Sequence, residues 1–209
     1  MAASLLLDID GVILRDRLLL EHVRYNVVEY VREKLPHSKN PELTNRLIYK
    51  VYGHTGLGLQ KAFRIDTRDF NKKVYNDGVL LHLAAILDSP QFKEDAKVIK
   101  ELSEDYKVTL FSNSPLEWSI PVRDAISNRI NIAYDGNMKP DNSAYVNFPK
   151  DVKHIFVDDK VDNLNPTLYY RNWTPIHFSE EGTCSKFLTI GSMWELSLFV
   201  NSFNLWESR

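Results

Sequence analysis

Ser4 to Leu14, SLLLDIDGVIL, constrains this chain more than any other stretch. Leu5, Leu6, Leu7 and Ile9 make a near-continuous apolar run, the kind a parallel-sheet strand buried on both faces needs. The run delivers two carboxylates, Asp8 and Asp10, to its end, where Gly11 lets the backbone turn. Carboxylates that close repel each other, and a divalent cation or a protonated form relieves them. On these residues alone a second reading stays open. Asp10-Gly11 between apolar triplets is also a tight-hairpin signal, with Leu5 to Ile9 pairing back through Val12 to Leu14.

From Leu14 to about Leu87 the pattern is helical. Leu19, Val23, Val27, Tyr30 and Val31 recur at helical spacing, and so do Leu43, Leu47, Ile48, Val51 and Tyr52 behind Pro41. GHTGLG (residues 53–58) breaks the run, and Asn76-Asp77-Gly78 marks a turn between two further apolar groups. The spacing predicts four or five helices inserted after the first strand. Ser89 and Pro90 then read as the N-cap and first turn of a helix. KVTLF (107–111) reads as a strand, 115–128 as a helix, 130–134 as a short strand, KHIFV (153–157) as a strand and WTPIHF (173–178) as another. Ser192 to Glu195 has capping-box spacing for a last helix running to about Phe203. Strand alternating with helix is the signature of a parallel sheet with crossover connections. The expected architecture is an α/β, Rossmann-like parallel sheet core, residues 1–14 and 90–209, with a helical cap subdomain, 15–89, inserted after strand 1.

Composition limits what such a chain does. With 26 Lys plus Arg against 28 Asp plus Glu, the net charge of −2 supplies no overall basic field for nucleic acid. The single cysteine, Cys184, forms no disulfide within the chain, which suits a reducing compartment. No segment approaches the ~20 apolar residues that span a bilayer, and the N-terminal run is too short for a signal peptide. The expectation is a soluble cytoplasmic protein without membrane partners.

In open parallel sheets, ligands sit outside the carboxyl ends of the strands. Each expected strand of the core ends in a group able to handle phosphate: Asp8 and Asp10, then Ser112 and Asn113, then Asp158-Asp159, with Lys139 in the connection before the last. A hairpin turn accounts for the first pair but not for the others. These residue types suit phosphoryl transfer through an aspartyl phosphate. One carboxylate serves as nucleophile and a second as acid and base. Asp8 and Asp158 suit Mg2+, which takes oxygen ligands, and Ser112 and Lys139 suit stabilisation of the transferring group.

The four stretches resemble, in order, the four signature motifs of the haloacid dehalogenase superfamily. LLLDIDGVI is similar to the first, VTLFSNS to the second, NMKPDNSAY to the third and HIFVDDKVDN to the fourth. The resemblance implies Asp8 as nucleophile, Asp10 as general acid and base, Ser112 as a donor to the phosphoryl group and Lys139 as the charge-balancing lysine. It implies Mg2+ held by the Asp8 carboxylate, the Asp10 backbone carbonyl and Asp158, with Asn113 and Gly11 beside the substrate. True dehalogenases of the family lack the second Asp of the first motif, so Asp10 favours a phosphatase. The fourth motif occurs as adjacent acids or as acids four apart, and Asp158-Asp159 and Asp158…Asp162 satisfy both forms. Pro149 and Pro166 shorten the helices expected after the last two motifs.

The leading expectation is a magnesium-dependent phosphomonoester hydrolase acting on a small phosphorylated metabolite rather than nucleic acid. A phosphomutase is the nearest alternative. Sugar mutases of the family carry a cap histidine shortly after the first motif, and His22 lies near that region at a different spacing. A catalytically idle binding protein on the same fold is the other alternative. GHTGLG is either a plain interhelical turn or a loop that brings His54, Thr55 or Lys61 over the substrate. His22, Tyr25, Tyr49 and Tyr52 read as packing residues of the insertion.

Overall fold

A computed structural model describes residues 3–133, 136–182, 184 and 186–207, the last five by backbone alone. In chain order the elements are β1 (Ser4–Leu7), α1 (Arg17–Lys34), α2 (Pro41–Tyr52), α3 (Thr55–Phe63), α4 (Thr67–Val74), α5 (Asp77–Leu87) and α6 (Pro90–Asp105). There follow β2 (Lys107–Leu110), α7 (Leu116–Ile126), β3 (Asn131–Ile132), β4 (His154–Asp158), α8 (Val161–Leu164), β5 (Trp173–Phe178), β6 (Leu188–Ile190) and α9 (Met193–Glu207). The strands form one six-stranded sheet in the order β3-β2-β1-β4-β5-β6, every pairing parallel.

The apolar run at the N-terminus takes the centre of that sheet. Leu5 pairs with Val108 of β2 on one side and Ile155 of β4 on the other, so β1 has no free edge for a hairpin partner. Instead the amides of Val12, Ile13 and Leu14 all turn back onto the Ile9 carbonyl, at 3.4, 2.9 and 2.8 Å. Gly11 makes this possible with φ of +88°, a conformation in which a side chain is strained. The hairpin reading therefore fails.

Successive residues of the strands point to opposite faces. Leu5, Leu7, Val108, Leu110, Ile155, Val157 and Ile176 join one buried cluster with residues of α6, α7 and α9. Leu6, Phe111, Phe156 and Trp173 join the other, which is aromatic. Tyr145, Phe148 and Leu164 cover this second face from short segments, because the connections around β4 carry only a 3-10 turn at Asn142–Ala144, the four-residue α8 and a 3-10 turn at Asn165–Tyr169. Large edge-to-face rings, such as Phe148 against Trp173 at 5.4 Å, fill the space a longer helix would take. The expected shortening by the two prolines is what the structure shows.

Between β1 and α6 the chain holds five helices among the described residues. Side-chain caps start them: Asp16 for α1, Asn40 for α2, Asp66 for α4 and Asn76 for α5 each accept a first-turn amide. Tyr30, Val31, Ile48, Leu59, Phe70 and Val74 form a cluster of their own inside this insertion. Leu19, Val79 and Leu83 join the sheet's cluster instead, so the start of α1 and the buried face of α5 seat the insertion on the core.

GHTGLG is not simply a turn. Gly53 caps α2 in a left-handed conformation and α3 begins at Thr55, with His54 as its N-cap. Two further differences concern strands. The expected strand at 130–134 is reduced to Asn131–Ile132, Tyr134 lying outside the described residues, and the edge strand β6 is new. Ser192 caps α9 as its spacing predicts, accepting from Glu195 at 3.1 Å, while Glu195 reaches back one residue further than expected, to the Gly191 amide at 2.8 Å. Among the described residues no helix is long and apolar enough to cross a membrane.

Candidate active site

The strand order turns about β1: the chain leaves it for β2 on one side and reaches β4 on the other. The crevice beyond the carboxyl ends at such a switch is where an open α/β sheet binds its ligand. Asp8 follows β1 directly, Ser112 and Asn113 follow β2, Lys139 lies in the connection after β3, and Asp158 ends β4. Asp8, Asp10, Ser112, Asn113 and Lys139 line one cavity of about 340 Å3. Asp158 lies fully buried beneath it.

Lys139 is the keystone of the charged layer. Only 1% exposed, its Nζ sits 2.6 Å from Asp158 Oδ2 and 3.1 Å from Asp8 Oδ1. Phe111 and Phe156 present ring faces to it at 5.1 and 5.2 Å. Burial disfavours the ammonium, yet Asp158 and Asp8 outweigh that and hold its pKa above the ordinary lysine value. Asn113 fixes the lysine's backbone: its amide donates to the Lys139 carbonyl and accepts from the Lys139 amide, both at 2.8 Å. The side chain expected beside the substrate is thus committed first to positioning Lys139.

Asp158 accepts from the Lys160 amide at 2.9 Å and from Asn163 Nδ2 at 3.0 Å on each oxygen. Burial pushes its carboxyl up, against the pull of Lys139. Asp10 faces the other way. Its two oxygens accept from Ser114 Oγ at 2.6 Å and Trp118 Nε1 at 2.9 Å. Burial and then the charge of Asp8 raise its pKa, and the two donors only partly offset this. A carboxyl held toward its protonated form suits a general acid. Tyr75, from the insertion, touches the same network through Ser114, and burial raises its phenol as well.

One carboxylate oxygen each from Asp8, Asp158 and Asp159 lies within 4.8 Å of the others. Asp159 was ambiguous from sequence; the structure brings it into the cluster and leaves Asp162 exposed on α8, away from it. Asp159 Oδ1 is buried without a hydrogen-bond partner, and burial together with Asp8 and Asp158 pushes this carboxyl up to about 7. An orphaned oxygen among crowded acids fits a hard divalent cation such as Mg2+. Gly11 stands apart from the cavity lining: a Cβ there would meet Asp159 Oδ2 at 2.4 Å. Its hydrogen side chain makes room for Asp159.

The sequence reading left out several cavity residues. Lys160 follows the acid pair directly, and its Nζ lies 5.7 Å from the Tyr49 ring centre. Tyr49, read as a packing residue, lines the cavity, as do His54 and Thr55; Lys61 lines an adjoining groove. His22 does pack, its ring 5.9 Å from that of His82, and Tyr25 is largely exposed. Trp118 and Tyr75 carry no motif of their own, and Ser114 was marked only as the last residue of VTLFSNS.

No protein-family model matches the chain, and no curated protein matches it by sequence. Solved structures do. The chain is similar to a β-phosphoglucomutase from Clostridium difficile (17% identity, 100% of both chains, TM-score 0.58). It is similar to a HAD phosphatase from Thermococcus onnurineus (14% identity, 95% of this chain and 97% of that one, TM-score 0.56). CbbY from Rhodobacter sphaeroides, in complex with phosphate, aligns at 13% identity over 94% and 96% of the two chains, with a TM-score of 0.60. At these identities the likeness is one of fold, and with the sheet order and the insertion after β1 it establishes that the chain has the fold of the haloacid dehalogenase superfamily.

Proposed function

We propose that the chain is a magnesium-dependent phosphomonoester hydrolase that works through a phosphorylated Asp8 on a small cytoplasmic metabolite, with residues 15–89 as its cap. The observation that carries this reading is the convergence of Asp8, Asp10, Ser112 and Lys139 on one cavity, with Lys139 bridging Asp8 and Asp158. Asp8, Asp158, Asp159 and the Asp10 carbonyl would hold Mg2+, which when bound screens the negative charge of the phosphoryl group and the acids.

Asp8 attacks phosphorus while the bond to the leaving oxygen breaks, and the Asp10 carboxyl gives that oxygen its proton. Ser114 and Trp118 keep Asp10 oriented for this transfer. The Ser112 hydroxyl and the Lys139 ammonium meet the phosphoryl oxygens. Asp10, now ionised, takes a proton from water as it attacks the aspartyl phosphate, which frees phosphate and restores Asp8. The apolar side chains of the insertion limit water around the intermediate.

Asp8→Asn should abolish magnesium-dependent release of phosphate from an aryl phosphate while circular dichroism shows an unchanged fold. Turnover that survives this substitution refutes the nucleophile. The likeness to a phosphomutase over the full length of both chains supports mutase chemistry as a second reading. His22 packs outside the cavity lining and so offers that reading no cap base. Conversion of a sugar phosphate to its isomer without free phosphate would favour the mutase.

A further inference from the structure

Beyond the phosphoryl site, the charged side chains that the insertion and its surroundings offer to the cavity are cations, and beside the hydroxyls of Tyr49, Thr55 and Tyr75 they are joined by an amide and an imidazole donor. Thr55 donates its hydroxyl to Asn45 Oδ1 at 2.6 Å, so the part of the Asn45 amide left to a ligand is its NH2 group. His54 Nδ1 accepts the Leu57 amide at 3.2 Å as the cap of α3, so the neutral ring carries its proton on Nε2. Burial and then Lys160 hold that ring neutral, with its pKa lowered to about 4. Arg24 stands at the rim, paired with the exposed Glu42 at 2.7 Å. Lys160 lies under Tyr49 and, among the described residues, has no carboxylate in ion-pair contact, though it feels Asp8, Asp159 and Asp158.

No acid of the insertion lines the cavity, although Glu42 pairs with Arg24 at the rim: Asp8 and Asp10, both spoken for, are the acidic side chains of the lining among the described residues. Leu20, Val23, Val27 and Phe70 make an apolar wall opposite. At about 340 Å3 the space lies at the small end of ligand pockets. Among the described residues, a polyol's hydroxyl protons would find only the hydroxyl oxygens of Thr55, Tyr49 and Tyr75 and the Asn163 Oδ1 as acceptors, and a neutral ligand would leave the cationic side chains of the cavity without a counter-charge.

The geometry points to a leaving group that is itself an anion: a short apolar carbon chain ending in a carboxylate or a second phosphate, met by Asn45, His54, Lys160 and Arg24. This rests on the hydrolase reading and names its substrate class. Lys160 attracts the anion from beside the acid cluster and Arg24 from the rim, and the neutral donors Asn45 and His54 fix its place.

The test uses three esters built on the same three-carbon chain with Mg2+: phosphoryloxypropanoate, propyl phosphate and propanediol bisphosphate. Wild-type kcat/KM should be at least about tenfold higher for one of the two anionic esters than for propyl phosphate. Which of the two leads tells carboxylate from phosphate. Asn45→Asp keeps the acceptor for Thr55 and replaces the free NH2 with charge, so it should cut the anionic-to-neutral ratio by about tenfold. A wild-type preference for propyl phosphate, or a ratio that Asn45→Asp leaves alone, overturns the inference while the hydrolase stands. If none of the esters is turned over, calorimetric binding to Asp8→Asn decides: tighter binding of the anionic esters supports the inference, and equal binding ends it.

Discussion

Gly11→Ala tests how the first turn and the acid cluster depend on each other. Two effects add at this position. A side chain at φ of +88° costs about 1–2 kcal/mol of backbone strain. The new Cβ would also sit 2.4 Å from Asp159 Oδ2, so the carboxylate must leave its rotamer, at about 0.5–1.5 kcal/mol. Gly136 supplies the control, because its φ is +83° and a Cβ there meets nothing within 4 Å. Gly136→Ala should therefore cost about 1–2 kcal/mol and Gly11→Ala about 1.5–3.5 kcal/mol. In a chain of this size each kcal/mol moves the melting midpoint by about 2–4 °C, so the two variants should separate by several degrees. Only Gly11→Ala displaces a member of the acid cluster, so it alone should weaken the rise in melting temperature that added Mg2+ produces. Equal losses in the two variants, with equal responses to Mg2+, would refute the proposed contact between Gly11 and Asp159.

Two other outcomes follow from burial. Lys139→Met removes the partner of two buried carboxylates and should cost about 3–5 kcal/mol in urea unfolding without metal; a loss below about 1 kcal/mol would mean that the acids tolerate each other unaided. For His54, the folded pKa of about 4 lies below the ordinary 6.5, so the unfolded chain takes up the proton first and stability falls as pH drops from about 6.5 toward 4. The full effect is about 3 kcal/mol, and His54→Asn, which keeps an N-cap but does not titrate, should flatten that part of the pH dependence relative to wild type; parallel curves would exclude His54 as its source.

Much of the fold was legible because its strands are of the doubly buried type. LLL and IFV have no polar face and so belong in the middle of a parallel sheet, where β1 and β4 lie side by side. The edges were less legible. β6 has three residues and partners only β5, so its sequence carries little apolar pattern, and Asn131–Ile132 is shorter than its apolar surroundings suggest. His54 was hard to place because a histidine cap looks like a loop residue until its Nδ1 is seen on the Leu57 amide.

The site divides along the same line, and the division has a physical cause. Asp8, Ser112 and Asp158 each stand at or just beyond the end of a strand, so the period of the strand fixes their position in space and a linear motif can report it. Asn45 and Tyr49 reach the cavity from α2, His54 from the start of α3 and Tyr75 from the end of α4, helices whose rotation is set by packing around Tyr30, Ile48 and Phe70. Helical spacing tells that such a residue lies on a face, but which face meets the sheet depends on how the start of α1 and the buried side of α5 seat the insertion. The residues we assign to phosphoryl chemistry were therefore readable in order along the chain. Those we propose to meet the leaving group became readable only once Thr55 was seen to occupy the Asn45 carbonyl and Leu57 the His54 ring, because those two hydrogen bonds leave the Asn45 NH2 and the His54 Nε2–H as donors.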